Sequence, residues 1–107
     1  MKLPKVVADL IDAQYHFNPD AYAACFSETA LVHDEGHAYV GREEIKRWIS
    51  KANSEYNTVM KPLSFEETEG GSLLTAEVSG TFPGSPVVLK FYLQIADGLI
   101  TSLKIAG

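Results

Sequence analysis

The strongest constraint on the fold is an alternation of apolar and polar residues in the second half of the chain. Every second residue is apolar from Leu74 to Val78 and again from Val87 to Ile95. A period of two is typical of strands that bury one face. Turn signals follow at Gly70-Gly71 and at Asp97-Gly98, where Asp-Gly fits a type I′ hairpin turn. We therefore predict an antiparallel meander with strands at 58–69, 73–82, 87–95 and 99–106.

The first half shows helical spacing instead, with apolar residues three and four positions apart. Helices are predicted at 4–17, 21–26 and 42–56, the third directly after Gly41. A short hairpin separates the last two helices, with strands at 30–34 and 37–40 around a turn at Glu35-Gly36. The prediction is an α+β fold, with the helices in the first half laid on one face of the sheet.

Composition limits the classes of function. The 107 residues suit one domain, spanning 1–107, with a single core. A net charge of -5 and scattered basic residues argue against nucleic acid or an anionic membrane surface as a partner. Cys25 is the only cysteine, which excludes an internal disulfide and favours a buried thiol. With no signal peptide and no apolar stretch long enough to span a bilayer, a cytoplasmic protein is expected.

Asp34 is the most suggestive residue for chemistry. Alternation in the strand 30–34 places Asp34 on the same side as Val32, so a core-facing Val32 would point the carboxylate toward an apolar interior. Burial raises the pKa of a carboxyl and makes it a general base near neutral pH. The alternative is a turn residue, because an aspartate beside Glu35-Gly36 often bonds its own backbone.

Other side chains could complete a site around this aspartate. His37, across the turn, could orient it or act as its acid partner, or could simply be solvated. Gln14 has apolar neighbours, and its amide could donate either to a ligand or to the backbone. Trp48 could line a pocket or pack in the core. Two further candidates for the lining of the same cavity are Tyr22 and Met60.

Neither a metal site nor a cofactor site is predicted. His33 and His37 are four residues apart, but a turn lies between them and no thiolate supports a shared ligand geometry. A glycine-rich phosphate loop is also missing from the sequence.

Six residues, in the order of elements given above, carry a family resemblance: Phe26, Ala30, Asp34, Gly41, Ile45 and Trp48. In this arrangement nearly the whole chain resembles the NTF2-like superfamily, in particular its SnoaL-like polyketide cyclase and ketosteroid isomerase branch. The resemblance implies a cone, in which three N-terminal helices pack on a curved, mixed and mainly antiparallel sheet with an apolar pocket at its mouth. It further implies Asp34 as general base and Trp48 as a pocket-lining aromatic residue.

The resemblance does not extend to a steroid isomerase. Where ketosteroid isomerases carry a tyrosine on helix one, this chain has Leu10, and where they carry a protonated acid on a late strand, it has Phe91. Such enzymes need donors aimed at the developing enolate, and loss of one donor costs about 10²–10³ in rate.

Two functions remain. The first is a cofactor-independent cyclase, isomerase or lyase that acts on a small hydrophobic carbonyl compound. Asp34 would be its base, His37 an acid or orienting group and Gln14 a donor, and the apolar wall would comprise Tyr22, Trp48 and Phe91. The alternative is a non-catalytic module of the same fold that binds a hydrophobic ligand or a partner protein, since binding needs only the pocket.

A homodimer through the outer face of the sheet is also predicted. Members of this family commonly dimerise through that face, and an exposed Tyr92 could pair across a two-fold axis. The face comprises Thr75, Glu77, Ser79, Lys90, Tyr92 and Gln94.

Overall fold

A computed structural model describes residues 2–107, which form three helices and six strands and confirm the α+β class. The helices are α1 (Lys5–Tyr15), α2 (Pro19–Ala24) and α3 (Gly41–Tyr56). The strands are β1 (Phe26–Asp34), β2 (His37–Val40), β3 (Val59–Thr68), β4 (Gly71–Ser79), β5 (Val87–Ala96) and β6 (Leu99–Ala106).

The strands form one mixed sheet in the order β2-β1-β6-β5-β4-β3. Strands β3 to β6 make the antiparallel meander that the sequence predicts. The one parallel pair joins β1 to β6, which attaches the hairpin from the first half of the chain to the meander. Bulges interrupt the registers of β1, β3 and β6, and bulges bend the strands that carry them.

The prediction of three N-terminal helices on the sheet is not confirmed, because the hairpin β1–β2 intervenes between α2 and α3. The predicted end of the second helix at Phe26 is also wrong. Helix α2 ends at Ala24, and Phe26 already pairs with Ile100 on β6. Phe26 is fully buried there, so tertiary packing prevails over the local helical spacing.

Helix α1 ends two residues earlier than predicted, because Phe17 adopts a left-handed conformation with φ 50°. The Asn18 N–H donates to the Ala13 carbonyl over 2.9 Å, and the Phe17 N–H donates to the Gln14 carbonyl over 3.1 Å. These two bonds form a Schellman motif, which satisfies carbonyls at the helix end.

Two-residue turns close both hairpins as the sequence predicts. Glu35-Gly36 and Asp97-Gly98 all have positive φ, the conformation of a type I′ turn. Gly41 then joins β2 to α3 at φ +83°, where an added Cβ would lie 3.3 Å from the Glu28 carbonyl oxygen. The position therefore favours glycine both for its positive φ and for the small space beside it.

The helices cover one face of the sheet, which we call the inner face. Its side chains and those of α1 and α3 form a single core, whose fully buried members include Val7, Leu10, Phe26, Val32, Ile45, Leu74, Leu93, Ile100 and Leu103. Within residues 2–107, no helix is both long and apolar enough to cross a membrane.

Truncation of Phe26, which begins β1 just after α2, tests how much this side chain contributes to the stability of the core. Phe26→Ala should lower the free energy of unfolding by about 3–5 kcal/mol, because it empties a fully enclosed site. Tyr15→Ala is the control, since Tyr15 is 69% exposed and its loss should change stability by about 0.5 kcal/mol or less. Urea denaturation of both variants measures the difference, and equal stabilities would contradict the core described above.

Candidate active site on the inner face

The register of the β1–β2 hairpin places Asp34 on the inner face. Asp34 lies directly opposite His37, and Val32 lies directly opposite Tyr39. Residues opposite each other in an antiparallel pair project to the same side, and positions two apart on a strand share that side. Val32 is fully buried in the core, so all four side chains belong to the inner face. The predicted alternation of the strand is thereby confirmed.

Four aromatic rings form a cluster beside the hairpin. The centroid of Trp48 on α3 lies 5.6 Å from that of Tyr39, with their planes 28° apart in a stacked arrangement. Tyr22 on α2 lies 6.1 Å from Trp48 and 5.7 Å from Phe26. Offset and tilted ring pairs at these separations are favourable. The cluster therefore fixes α2 and α3 against the hairpin next to Asp34.

Burial governs the electrostatics of Asp34, which is half-buried at the end of β1. Desolvation raises the pKa of its carboxyl above the ordinary value of 3.8, and the negative charge of Glu35 adds to the rise. The Trp48 indole N–H, the Glu35 backbone and His37 lower this pKa, but they do not cancel the rise. The indole N–H that exerts this effect lies on α3, so Trp48 links that helix to the carboxylate on β1.

Tyr22 is 3% exposed, yet its hydroxyl forms no hydrogen bond with residues 2–107. In that part of the chain the only fully enclosed polar side-chain atom without a partner belongs to Gln14, so the small exposed part of Tyr22 includes its hydroxyl. Burial raises the pKa of the phenol well above its ordinary value, and proximity to Cys25 and Asp34 adds to the rise. The Tyr22 hydroxyl is therefore a protonated donor at the edge of the core.

Gln14 is buried as expected, and its amide nitrogen forms hydrogen bonds that link α1 to α3 and to Thr58, just before β3. Gln14 Nε2 lies 2.9 Å from Asn53 Oδ1 and 2.8 Å from both the Thr58 carbonyl oxygen and Thr58 Oγ1. Because a carbonyl can only accept, the nitrogen must face Thr58, and Gln14 Oε1 is left enclosed without a partner. The donors of Gln14 are thus occupied within the protein.

Met60 and Phe91 lie farther from Asp34. Phe91 is buried on β5, two strands from β1, and Met60 is partly buried on β3, four strands from β1. Neighbouring strands are about 4.8 Å apart, so Phe91 is within reach of a small ligand at Asp34 and Met60 is at the far side of the sheet. The structure thus brings together Asp34, His37, Tyr22 and Trp48.

Tyr39 is the residue of this face that sequence reasoning missed. The same alternation that pairs Asp34 with Val32 also places Tyr39 beside His37, two positions along β2, so the signal was present in the strand pattern. His33, by contrast, lies on the outer face opposite Ala38, away from His37. Within residues 2–107 no group of three histidine, cysteine, aspartate or glutamate side chains could hold a metal ion.

Two grooves lie away from this face. The larger, of about 540 Å³, runs between α1, α2 and the β5–β6 turn, and the smaller, of about 310 Å³, lies between α2 and α3. Cys25 lines the larger groove, and burial raises the pKa of its thiol to about 11. None of the predicted site residues lines either groove, so the apolar pocket remains a prediction.

Solved structures share the fold. A proposed polyketide cyclase from Sinorhizobium meliloti is 38% identical with a TM-score of 0.92, covering 97% of this chain and 95% of its own. A protein with a ketosteroid isomerase-like fold from Catenulispora acidiphila, solved with trimethylamine, is 20% identical (TM-score 0.87; coverage 99% and 87%). A proposed polyketide cyclase from Silicibacter is 22% identical (TM-score 0.82; coverage 94% and 85%). The last two indicate the fold alone. No protein-family model matches the sequence, and no curated protein matches it.

The raised pKa of Asp34 predicts how stability depends on pH. Its folded-state pKa lies above the unfolded value, so its contribution to stability is complete below about pH 4 and is lost as pH rises through the folded pKa. Asp34→Asn removes this ionisation and should therefore stabilise the protein at neutral pH, with no gain at pH 3. Glu67→Gln, which neutralises an exposed acid on β3, is the control. Thermal unfolding from pH 3 to pH 8 measures the difference, and a destabilised Asp34→Asn at pH 7 would contradict the assigned burial.

Proposed function

Since the chain belongs to the NTF2-like superfamily, in its polyketide cyclase and ketosteroid isomerase-like branch, we propose that it is a cofactor-independent enzyme. Its reaction would move a proton next to the carbonyl group of a small hydrophobic compound, as an isomerase, cyclase or lyase does. Asp34 would act as the general base.

One observation carries this proposal: Asp34 and His37 lie opposite each other on the inner face, beside an aromatic cluster, with the carboxyl half-buried. A base works best when its pKa approaches the operating pH, and burial moves the pKa of Asp34 in that direction. An aspartate solvated in a turn would lack this feature. His37 is exposed and cross-strand from Asp34, where it can orient the carboxylate or return a proton.

Tyr22 supports the same reaction with an O–H donor. When the Asp34 carboxylate takes a proton from the carbon next to a carbonyl, negative charge develops on the carbonyl oxygen. The Tyr22 hydroxyl is unpartnered and protonated, so it can donate to that oxygen. The protonated Asp34, or His37, then returns a proton to a carbon of the enolate. Trp48 and Phe91 would complete the apolar wall.

A second candidate is a non-catalytic module that binds a hydrophobic ligand or a partner protein. Leu10 is 1% exposed and Phe91 is 5% exposed, so two positions that carry donors in ketosteroid isomerases are apolar and buried here. With these donors missing, Tyr22 would stand nearly alone in stabilising an enolate, whereas binding requires only apolar surface.

The proposal includes a homodimer through the outer face of the sheet. On β5, Val88 and Tyr92 are exposed on this face beside Lys90 and Gln94. Exposed apolar side chains on a strand surface suit a self-complementary contact. Sedimentation that shows a monomeric mass at every concentration would end this part of the proposal.

Proton exchange measures the proposed chemistry without a known substrate. Wild-type protein should catalyse deuterium exchange next to the carbonyl of at least one member of a panel of cyclic ketones in D₂O. The rate should rise with pH through the pKa of Asp34, because only the carboxylate is a base. Asp34→Asn should lower the rate by about 10²–10⁴ while leaving ligand binding unchanged.

Glu67→Gln is the matched control and should exchange at the wild-type rate. Undiminished exchange by Asp34→Asn would refute the role of Asp34. Binding of the ketones without exchange by the wild type would favour the second candidate.

A further inference from the structure

We infer that Tyr39 is a positioning residue: its ring holds the Trp48 indole in the orientation that presents the N–H to the Asp34 carboxylate. The inference rests on the proposed role of Asp34 as a base, because it describes how that base is controlled. Nothing in it depends on the identity of the substrate.

The geometry of the two rings supports this role. Tyr39 and Trp48 stack at 5.6 Å with their planes 28° apart, the most nearly parallel of the ring pairs around Trp48. Tyr39 lies opposite Val32, and it is therefore diagonal to Asp34 on the same face of the hairpin. A diagonal neighbour on a strand pair is within reach of a long aromatic side chain. The stack thus stands directly beside the carboxylate.

Trp48 needs such a support. Its backbone is held on α3 by the buried neighbours Ile45 and Ile49, but the indole ring itself is only half-buried. Within residues 2–107 the only polar group described near its N–H is the Asp34 carboxylate, so packing sets the orientation of the ring. Stacking on Tyr39, with the tilted Tyr22 ring at 6.1 Å, is what restricts the rotamers of the side chain.

The position of the indole matters because Asp34 has few other neighbours that stabilise its charge. The charged or titratable groups near it are Glu35 in the turn, His37 on β2 and the Tyr22 phenol on α2. Of all its neighbours, the Trp48 N–H exerts the largest effect that lowers the pKa of Asp34. Loss of the N–H from its place should therefore favour the protonated carboxyl.

A double-mutant cycle read by NMR tests the inference. The pKa of the Asp34 carboxyl is measured in the wild type, Tyr39→Leu, Trp48→Phe and the double variant, with Tyr39→Phe as the control that keeps the ring. Tyr39→Leu and Trp48→Phe should each raise the pKa, and Tyr39→Phe should leave it unchanged. Because Tyr39 acts through the indole, adding Tyr39→Leu to Trp48→Phe should produce no further rise.

Trp48 is the only tryptophan in the chain, so its fluorescence gives an independent reading. Its emission should change with pH at the midpoint of Asp34, and this change should vanish in Asp34→Asn and weaken in Tyr39→Leu. If Tyr39→Leu does not fold, Tyr39→Val on the same strand replaces it.

Two results would overturn the inference: a pKa that Tyr39→Leu leaves unchanged, or an equal rise on adding Tyr39→Leu to Trp48→Phe. Neither reading uses turnover, so the inference and the proposed function fail separately. If the pKa of Asp34 changes as predicted in the double-mutant cycle but the protein shows no exchange activity, the inference stands and the proposed function fails. If the protein catalyses exchange but the pKa of Asp34 is the same in Tyr39→Leu as in the wild type, the proposed function stands and the inference fails.

Discussion

The parallel pairing of β1 with β6 is the interaction on which the rest of the structure depends. It joins the hairpin of the first half of the chain to the meander of the second, and the Ile100 N–H donates to the Cys25 carbonyl over 2.9 Å where the pairing begins. Phe26 pairs with Ile100 and Val32 pairs with Leu103, and all four side chains are fully buried. A slip of one residue would turn Val32 outward and Asp34 with it, so burial of the apolar residues fixes the position of the aspartate.

The packing of the core therefore places the Asp34 carboxyl where its ionised form is less well hydrated. The strand that buries Val32 carries a carboxyl two positions farther, and this carboxyl loses part of its hydration at the rim of the aromatic cluster. The protein does not neutralise the charge with a salt bridge, since no cation pairs with Asp34 in residues 2–107. A half-buried carboxyl whose pKa is raised by desolvation is typical of catalytic sites.

Much of the fold can be predicted from local patterns. Alternation identified the meander and placed Asp34 with Val32, and the Asp-Gly and Glu-Gly turns set the hairpins, because both signals act within a few residues. The parallel partner of β1 could not be predicted, since β6 lies about seventy positions along the chain and only the packed core selects it. The same holds for Phe26, whose helical spacing is overridden by burial.

The site could be predicted only where its residues lie close together in the sequence. Asp34 and His37 follow from the hairpin register, whereas the bonds of Gln14 to Asn53 and Thr58 join elements about forty residues apart and leave no local signal. The proposed site depends most on whether the Asp34 carboxyl is desolvated, and a ¹³C NMR titration of that carboxyl, assigned with Asp34→Asn, measures this directly. Desolvation at the inner face should give a pKa above the 3.8 of an ordinary aspartate. A pKa at or below that value would make Asp34 a solvated turn residue and would refute the proposed site.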